Sequence, residues 1–284
     1  MSPRPSLYRA TNRATLVGAL LVLFIVAFAL VGPLLAHHDP YTSDFVAGIS
    51  KEHLPVGPNA TFLLGTDRLY RDVLARLAAG ARLSLLIGFA ATILATSIGG
   101  LVGMISGWFE GRWPDAVIMR TVDVALAFPF LLLVMAVGAA LDRTTPTTIL
   151  LTLGLTGWPG TARIIRAKTM QIRSLDFIVA TRALGQRAPM ILLRHVLPNV
   201  AGPLLVIGTV SVAQMILAES VLAYLGAGVS PPTATWGSML FEGQDYLSGA
   251  PWISVAPATA LLLTVLGFNL LGEGLRDALD PRKT

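Results

Sequence analysis

From Thr15 to Ala36 the chain carries no charged side chain. That length matches the roughly 20 residues an α-helix needs to cross the hydrocarbon of a bilayer. In lipid a backbone amide has no water to bond, so a spanning segment of this kind satisfies its own amides by coiling into a helix. Comparable runs recur at about 83–109, 116–141, 146–160, 199–225 and 253–271. The expected fold is therefore an all-α, polytopic membrane protein with six transmembrane helices. The first run is longer than the roughly 7–15-residue apolar core of a signal peptide and reads as an uncleaved span. A chain that is 54% hydrophobic and 13% charged is too apolar for a soluble domain of 284 residues.

Charge placement sets the expected topology. Arg4, Arg9 and Arg13 precede the first span with no acid among them, which puts residues 1–14 in the cytoplasm. Between residues 163 and 194 stand Arg163, Arg166, Lys168, Arg173, Arg182, Arg187 and Arg194 against the single acid Asp176. The segment 229–252 instead carries Glu242 and Asp245 and no Lys or Arg. The positive segment belongs inside and the acidic one outside, so both termini are expected to be cytoplasmic, with 273–284 as a cytoplasmic tail.

The division that follows is a first transmembrane helix at 15–36, an extracytoplasmic loop at 37–81, and a core of five spans at 82–272. Within the loop, Asp67 is placed to cap a helix starting at Arg68. Leu69, Val73, Leu74 and Leu77 would share one face of it, and Gly80 would stop it. The expectation is an amphipathic helix over 68–79 lying on the outer membrane surface. His37 and His38 read as interfacial residues rather than a metal pair.

The second span carries Ala91, Ala95, Gly99, Gly103 and Gly107, each four residues apart. Such a row lets another helix approach the backbone closely, either as fixed packing or as a surface that slides. In the third span Arg120 and Asp123 are three apart and placed to pair, and Phe128-Pro129 is expected to kink the helix. Asp142-Arg143 reads as a tight outer turn. Glu219 lies near the outer end of the fifth span. Arg120, Asp123 and Glu219 are the candidate intramembrane polar residues.

Several chemistries are excluded. There is no cysteine for a disulfide, a thiolate nucleophile or a metal thiolate. No G-x-x-x-x-G-K-[ST] phosphate loop, H-E-x-x-H or G-x-S-x-G is present. Neither an inverted repeat nor mid-membrane acids support a proton-driven carrier. The basic residues do not interleave with aromatics as in a nucleic-acid surface. The chain reads as no enzyme, with no cofactor and no metal of its own.

The polar stretch 174–198 stands apart. Ser174 is placed as an N-cap, Asp176 falls in the first turn, and 175–184 reads as a short helix. Gly185 is suited to the left-handed conformation that ends it. Ala188-Pro189 restarts the chain, 190–196 forms a second helical piece, and Leu197-Pro198 opens the next span. Ala180, Thr181 and Ala183 are small enough for close seating in a partner's groove.

Ala180-x-x-x-x-Gly185 with the downstream Leu197-Pro198 resembles the "EAA" loop of ABC-importer permeases. LGTDRLYRDVL at 64–74, MRTVDVALAFP at 119–129, GLTGWPGTAR at 154–163, RHVLPN at 194–199, ESVLAYLGAGVSPPTATWGSML at 219–240 and FNLLGEGLRDALDP at 268–281 are similar to the C-type permeases of dipeptide, oligopeptide and nickel importers. The resemblance implies a type I importer in a bacterial inner membrane. This chain would pair with a second homologous permease subunit. Two ATP-binding cassette ATPase subunits would carry the ATP and magnesium, and an extracytoplasmic solute-binding protein would deliver the substrate. It further implies that Asp176, Val179, Ala180, Thr181, Ala183, Gly185, Leu197 and Pro198 form the ATPase-coupling segment. The sequence departs from the family pattern at Val179, where a Glu is usual, at Thr181 (Ala), at Tyr70 (Gly) and at Glu273 (Asp). The implied cargo is a di- or oligopeptide. The alternatives are nickel or a metal chelate through the same architecture, or a membrane scaffold that transports nothing.

Overall fold

A computed structural model describes residues 5–140 and 144–279, with side chains from Arg13 onward. The expected turn at Asp142-Arg143, Arg4, the side chain of Arg9 and the end of the tail lie outside the described residues. The fold is helical, and no strand occurs among the described residues. Four helices are long and apolar enough to cross a membrane: α1 (Pro5–Leu35), α2 (Val73–Trp108), α9 (Leu197–Tyr224, continuous with the helical turns before it) and α11 (Trp252–Ala278). The sequence-expected third span is two helices, α3 (Trp113–Ala127) and α4 (Phe130–Ala139), that meet at 87°. Phe128 is extended there, with ψ 136°, as the residue before a proline prefers. The single kinked span is thus a sharp bend; counted as one unit, it brings the helices long and apolar enough to cross a membrane to five among the described residues.

The expected fourth span is also interrupted. α5 (Pro146–Thr156) ends at Gly157, and α6 (Trp158–Arg173) continues beyond it. Eleven residues rise only about 16 Å, roughly half of the hydrocarbon thickness. Then come α7 (Asp176–Ala183), α8 (Ala188–Ile191), a π-turn at Leu192–Val196, and, beyond α9, α10 (Trp236–Gly243).

α2 is the central column. Its outer third (Val73, Leu77, Ala81, Leu85) packs with α1, α9, α10 and α11. Its middle (Ile87, Ala91, Ala95) packs with α4, α5 and α9. Its inner end (Met104, Trp108) packs with α6, α7, α8 and α9. Apolar residues also face outward: Leu23 and Leu34 of α1 are 64% and 79% exposed. Lipid as the surrounding solvent makes such a surface stable.

The structure corrects the expected surface helix. Asp72, not Asp67, is the N-cap: its carboxylate accepts from the amides of Leu74 (2.8 Å) and Ala75 (3.3 Å). Asp67 closes the turn before it, accepting from Leu69 and Arg71. Tyr70 lies in that turn with φ +60°, which no α-helix permits. Once started at Val73, the helix runs through Gly80 without a break to Trp108, about 54 Å at about 1.5 Å per residue. The boundary expected at 81/82 therefore falls inside one helix. Gly80 is there for packing: a Cβ on it would lie 3.3 Å from the Thr235 backbone.

Candidate functional site

The segment 174–198, expected to couple to an ATPase, forms an elbow at the Trp108 end of the bundle, the end that charge placement puts inside. Ser174 does not cap α7. It ends α6, its hydroxyl donating to the Gln171 carbonyl at 2.9 Å, and Leu175 takes the N-cap position with no side-chain bond. Asp176 is in the first turn of α7, and Gly185 has φ +78° just past its end. Ile178 is fully buried and anchors α7 among Trp108, Ile165, Ile172, Ile191 and Val196. The other face of the elbow is apolar and exposed: Phe177 is 45%, Val179 54% and Leu184 87% accessible. Ala180 and Ala183 are exposed alongside, and the Thr181 hydroxyl donates back to the Phe177 carbonyl.

Leu197 and Pro198 do not begin a separate helix. The chain stays helical from Ala188 to Tyr224. Pro198 has no N–H and cannot make the α-type bond, and the π-turn just before it shifts the ladder by one residue. The Asn199 side chain donates to the His195 carbonyl at 2.7 Å. From Ala188 onward the elbow and α9 are thereby one continuous helical segment.

Two inner contacts escaped the sequence reading. The Arg182 guanidinium lies over the Trp108 ring, 4.0 Å from its centroid. Its Nε and Nη2 are buried without a hydrogen-bond partner, and burial, reinforced by Arg173 and Arg112, lowers its pKa from the ordinary arginine value. Asp115 accepts two bonds from Arg166 (2.7 and 2.8 Å), one from Ser106 (2.6 Å) and one from the Gly111 amide (3.1 Å). That carboxylate joins the inner ends of α2, α3 and α6. The sequence signal was available in Asp115, which follows Pro114 in the first turn of α3, but its partner is 51 residues away.

The expected Arg120–Asp123 pair is replaced. Asp123 bonds Arg163 at 2.6 Å, joining α3 to α6 on an exposed face. The residues Ala95, Gly99, Gly103 and Gly107 lie where α5 and α6 cross α2. A Cβ on Gly103 would sit 2.5 Å from the Ala162 carbonyl, and one on Gly107 2.6 Å from that of Arg166. Ala91 is fully buried higher on the same helix. Among the described residues no cluster of His, Asp and Glu suits a metal ion; His38 bonds Asp72 at 2.8 Å and stacks on Phe62.

At the opposite end of the bundle, Glu219 is completely buried between α9, α2 and the start of α10. One oxygen faces the Ser84 hydroxyl at 3.2 Å and that of Ser220 at 3.4 Å; the other has no partner. Above it a buried network closes the loop: Arg71 bonds Asp67 and Glu242, each at 2.7 Å, and Arg76 bonds the same two carboxylates at 3.1 Å. Between α2 and α9 a cavity of about 820 Å³ is lined by Phe89, Thr92, Thr96, Gly208, Thr209 and Phe268 among others.

A membrane-crossing bundle with an inner elbow agrees with what sequence comparison finds. Residues 99–284 match the model of the binding-protein-dependent transport system inner membrane component. The chain belongs to that family. Residues 10–55 match the N-terminal transmembrane domain of oligopeptide transport permease C. The chain is 40% identical over 275 residues to the di/tripeptide transport system permease protein DppC of Pseudomonas aeruginosa, covering 96% of this chain and 89% of that one. It is 36% identical over 272 residues to the oligopeptide transport system permease protein OppC of Bacillus subtilis, covering 96% and 87%. An inward-facing structure of the MetNI methionine ABC transporter superposes with a TM-score of 0.58 at 18% identity, over 72% of this chain and 96% of that one, a likeness of fold. The permease is thus a multi-pass inner-membrane translocation subunit of an ABC importer, not an enzyme. It works with ATPase and substrate-binding partners.

Proposed function

We propose that this permease forms the translocation path of an importer for di- and oligopeptides. It would pair with a second homologous permease, with two ATPases below and a solute-binding protein outside. The observation that carries the reading is the elbow itself: an apolar face of Phe177, Val179 and Leu184 exposed beyond the membrane helices on a segment continuous with α9. Exposed apolar surface outside lipid is the mark of a protein partner. Closure of the ATPases on ATP would draw the elbow inward and tilt α9, switching the bundle from inward- to outward-facing. Six spans with both termini in the cytoplasm remain the topology we infer, with α5 and the following turn as the short fourth crossing.

Peptide cargo is favoured over nickel or a metal chelate by the relatives named for peptide transport, DppC and OppC. A scaffold role would leave the elbow without purpose. The test is import into proteoliposomes holding the permease with its partner permease, both ATPases and its binding protein. ATP-dependent uptake of a labelled dipeptide is expected; uptake of nickel ions without dipeptide uptake would reverse the assignment.

A further inference from the structure

The buried network at the outer face supports a second feature, a half-enclosed cavity of about 490 Å³. It is lined by Arg68, Phe241, Glu242, Gln244, Asp245 and Tyr246. Its size falls within the roughly 300–1,000 Å³ of small-molecule sites, whereas a protein-docking surface is a broad patch of about 800 Å² per partner.

The charges in this cavity are not equivalent. The Glu242 carboxylate is held by Arg71 at 2.7 Å and by Arg76 at 3.1 Å, so it forms a neutralised wall. Arg68 and Asp245 are exposed, and their side chains make no ion pair or hydrogen bond with any described residue. Both are nevertheless carried on fixed backbone. Arg68 follows Asp67, which is 2% exposed and tied to Arg71 and Arg76. Asp245 lies in the short 3₁₀ turn directly after α10. The cavity therefore offers one free cation and one free anion on a rigid frame. The Gln244 amide and the rings of Phe241 and Tyr246 complete its wall.

We propose that this cavity binds the two charged termini of a short peptide, resting on the peptide reading above. Arg68 takes the terminal carboxylate, in the two-toothed geometry that guanidinium and carboxylate share. Asp245 takes the terminal ammonium. Gln244 both donates to and accepts from the peptide bond. A carrier of peptides with varied side chains must grip what all of them have in common, and a cavity with one charge of each sign and an amide does so. The aromatic walls accept side chains without selecting among them.

The test uses the assembled transporter in detergent without its binding protein, titrated with the dipeptide Ala-Phe and with its N-acetylated and C-amidated forms. Wild type should bind free Ala-Phe and lose about tenfold in affinity for either blocked form. Arg68→Ala should weaken Ala-Phe about tenfold and no longer distinguish it from the C-amide. Asp245→Asn should do the same with respect to the N-acetyl form. Both side chains are exposed, so neither variant threatens folding. No binding of Ala-Phe to wild type, or equal discrimination of the blocked forms in wild type and variants, overturns the proposal. So does a weakening confined to docking of the loaded binding protein, which would make the cavity a protein contact. Dipeptide uptake by wild-type proteoliposomes separates the readings: uptake without these binding effects leaves peptide import standing and removes only this site.

Discussion

Tyr70 shows how one residue reconciles a departure from the family pattern with the backbone it must adopt. The C-type pattern has Gly at this position, and the structure gives the reason: φ is +60°, where a side chain costs about 1–2 kcal/mol. The tyrosine offsets that strain with a hydroxyl bond to the His53 carbonyl at 3.1 Å and an edge-on contact with Phe45 at 5.7 Å. Gly103 makes the opposite case. No side chain fits there, because the Ala162 carbonyl occupies the space of a Cβ. Gly103→Val must push α6 from α2, and overpacking of this kind costs about 1–3 kcal/mol. A fall in the thermal midpoint of the purified permease should report it, while the same change at Gly160, in α6 with open space around its Cβ, meets no such clash.

At the scale of elements, the inner ends of α2, α3 and α6 meet on the Asp115 carboxylate. Ser106, the Gly111 amide and Arg166 leave it fully bonded. Asp115→Asn removes the charge that Arg166 was positioned to meet, and breaking a buried pair by one partner costs about 3 kcal/mol. With Arg166 about a quarter exposed, about 2 kcal/mol is the expected loss, read as a lower denaturation midpoint. The double variant Asp115→Asn/Arg166→Met should recover part of it, because the stranded cation is then gone. The surface pair of Asp123 and Arg163, each more than half exposed, should contribute little in the same measurement.

For the whole molecule, the question is how the elbow transmits force with Val179 where the family carries Glu. Val179 is exposed and apolar, and Asp176 one turn earlier is exposed and acidic. We propose that the acid one turn away supplies the charge that position 179 lacks, with the apolar face supplying the fit. Asp176→Asn in the assembled importer should lower peptide-stimulated ATP hydrolysis about threefold and reduce its dependence on ionic strength. Coupling unchanged at every salt concentration would mean that the elbow seats by shape alone.

By itself the sequence determined the helical, membrane-embedded class, the end of α7 at Gly185 and the α2 positions where another helix comes close. All of these are set locally, by apolar run length, by a glycine's freedom at positive φ and by a four-residue repeat of small side chains. Tertiary structure decided which charges pair and where helices truly begin. The sequence reading put the cap at Asp67; Arg71, Arg76 and Glu242, the last of them far along the chain, draw Asp67 into the network, and Asp72 starts α2 instead. Asp123 has Arg120 one turn away and yet bonds Arg163, because α6 brings that guanidinium to 2.6 Å. Spacing along a helix fixes which residues share a face, while the partner on that face is chosen by whichever helix packs against it.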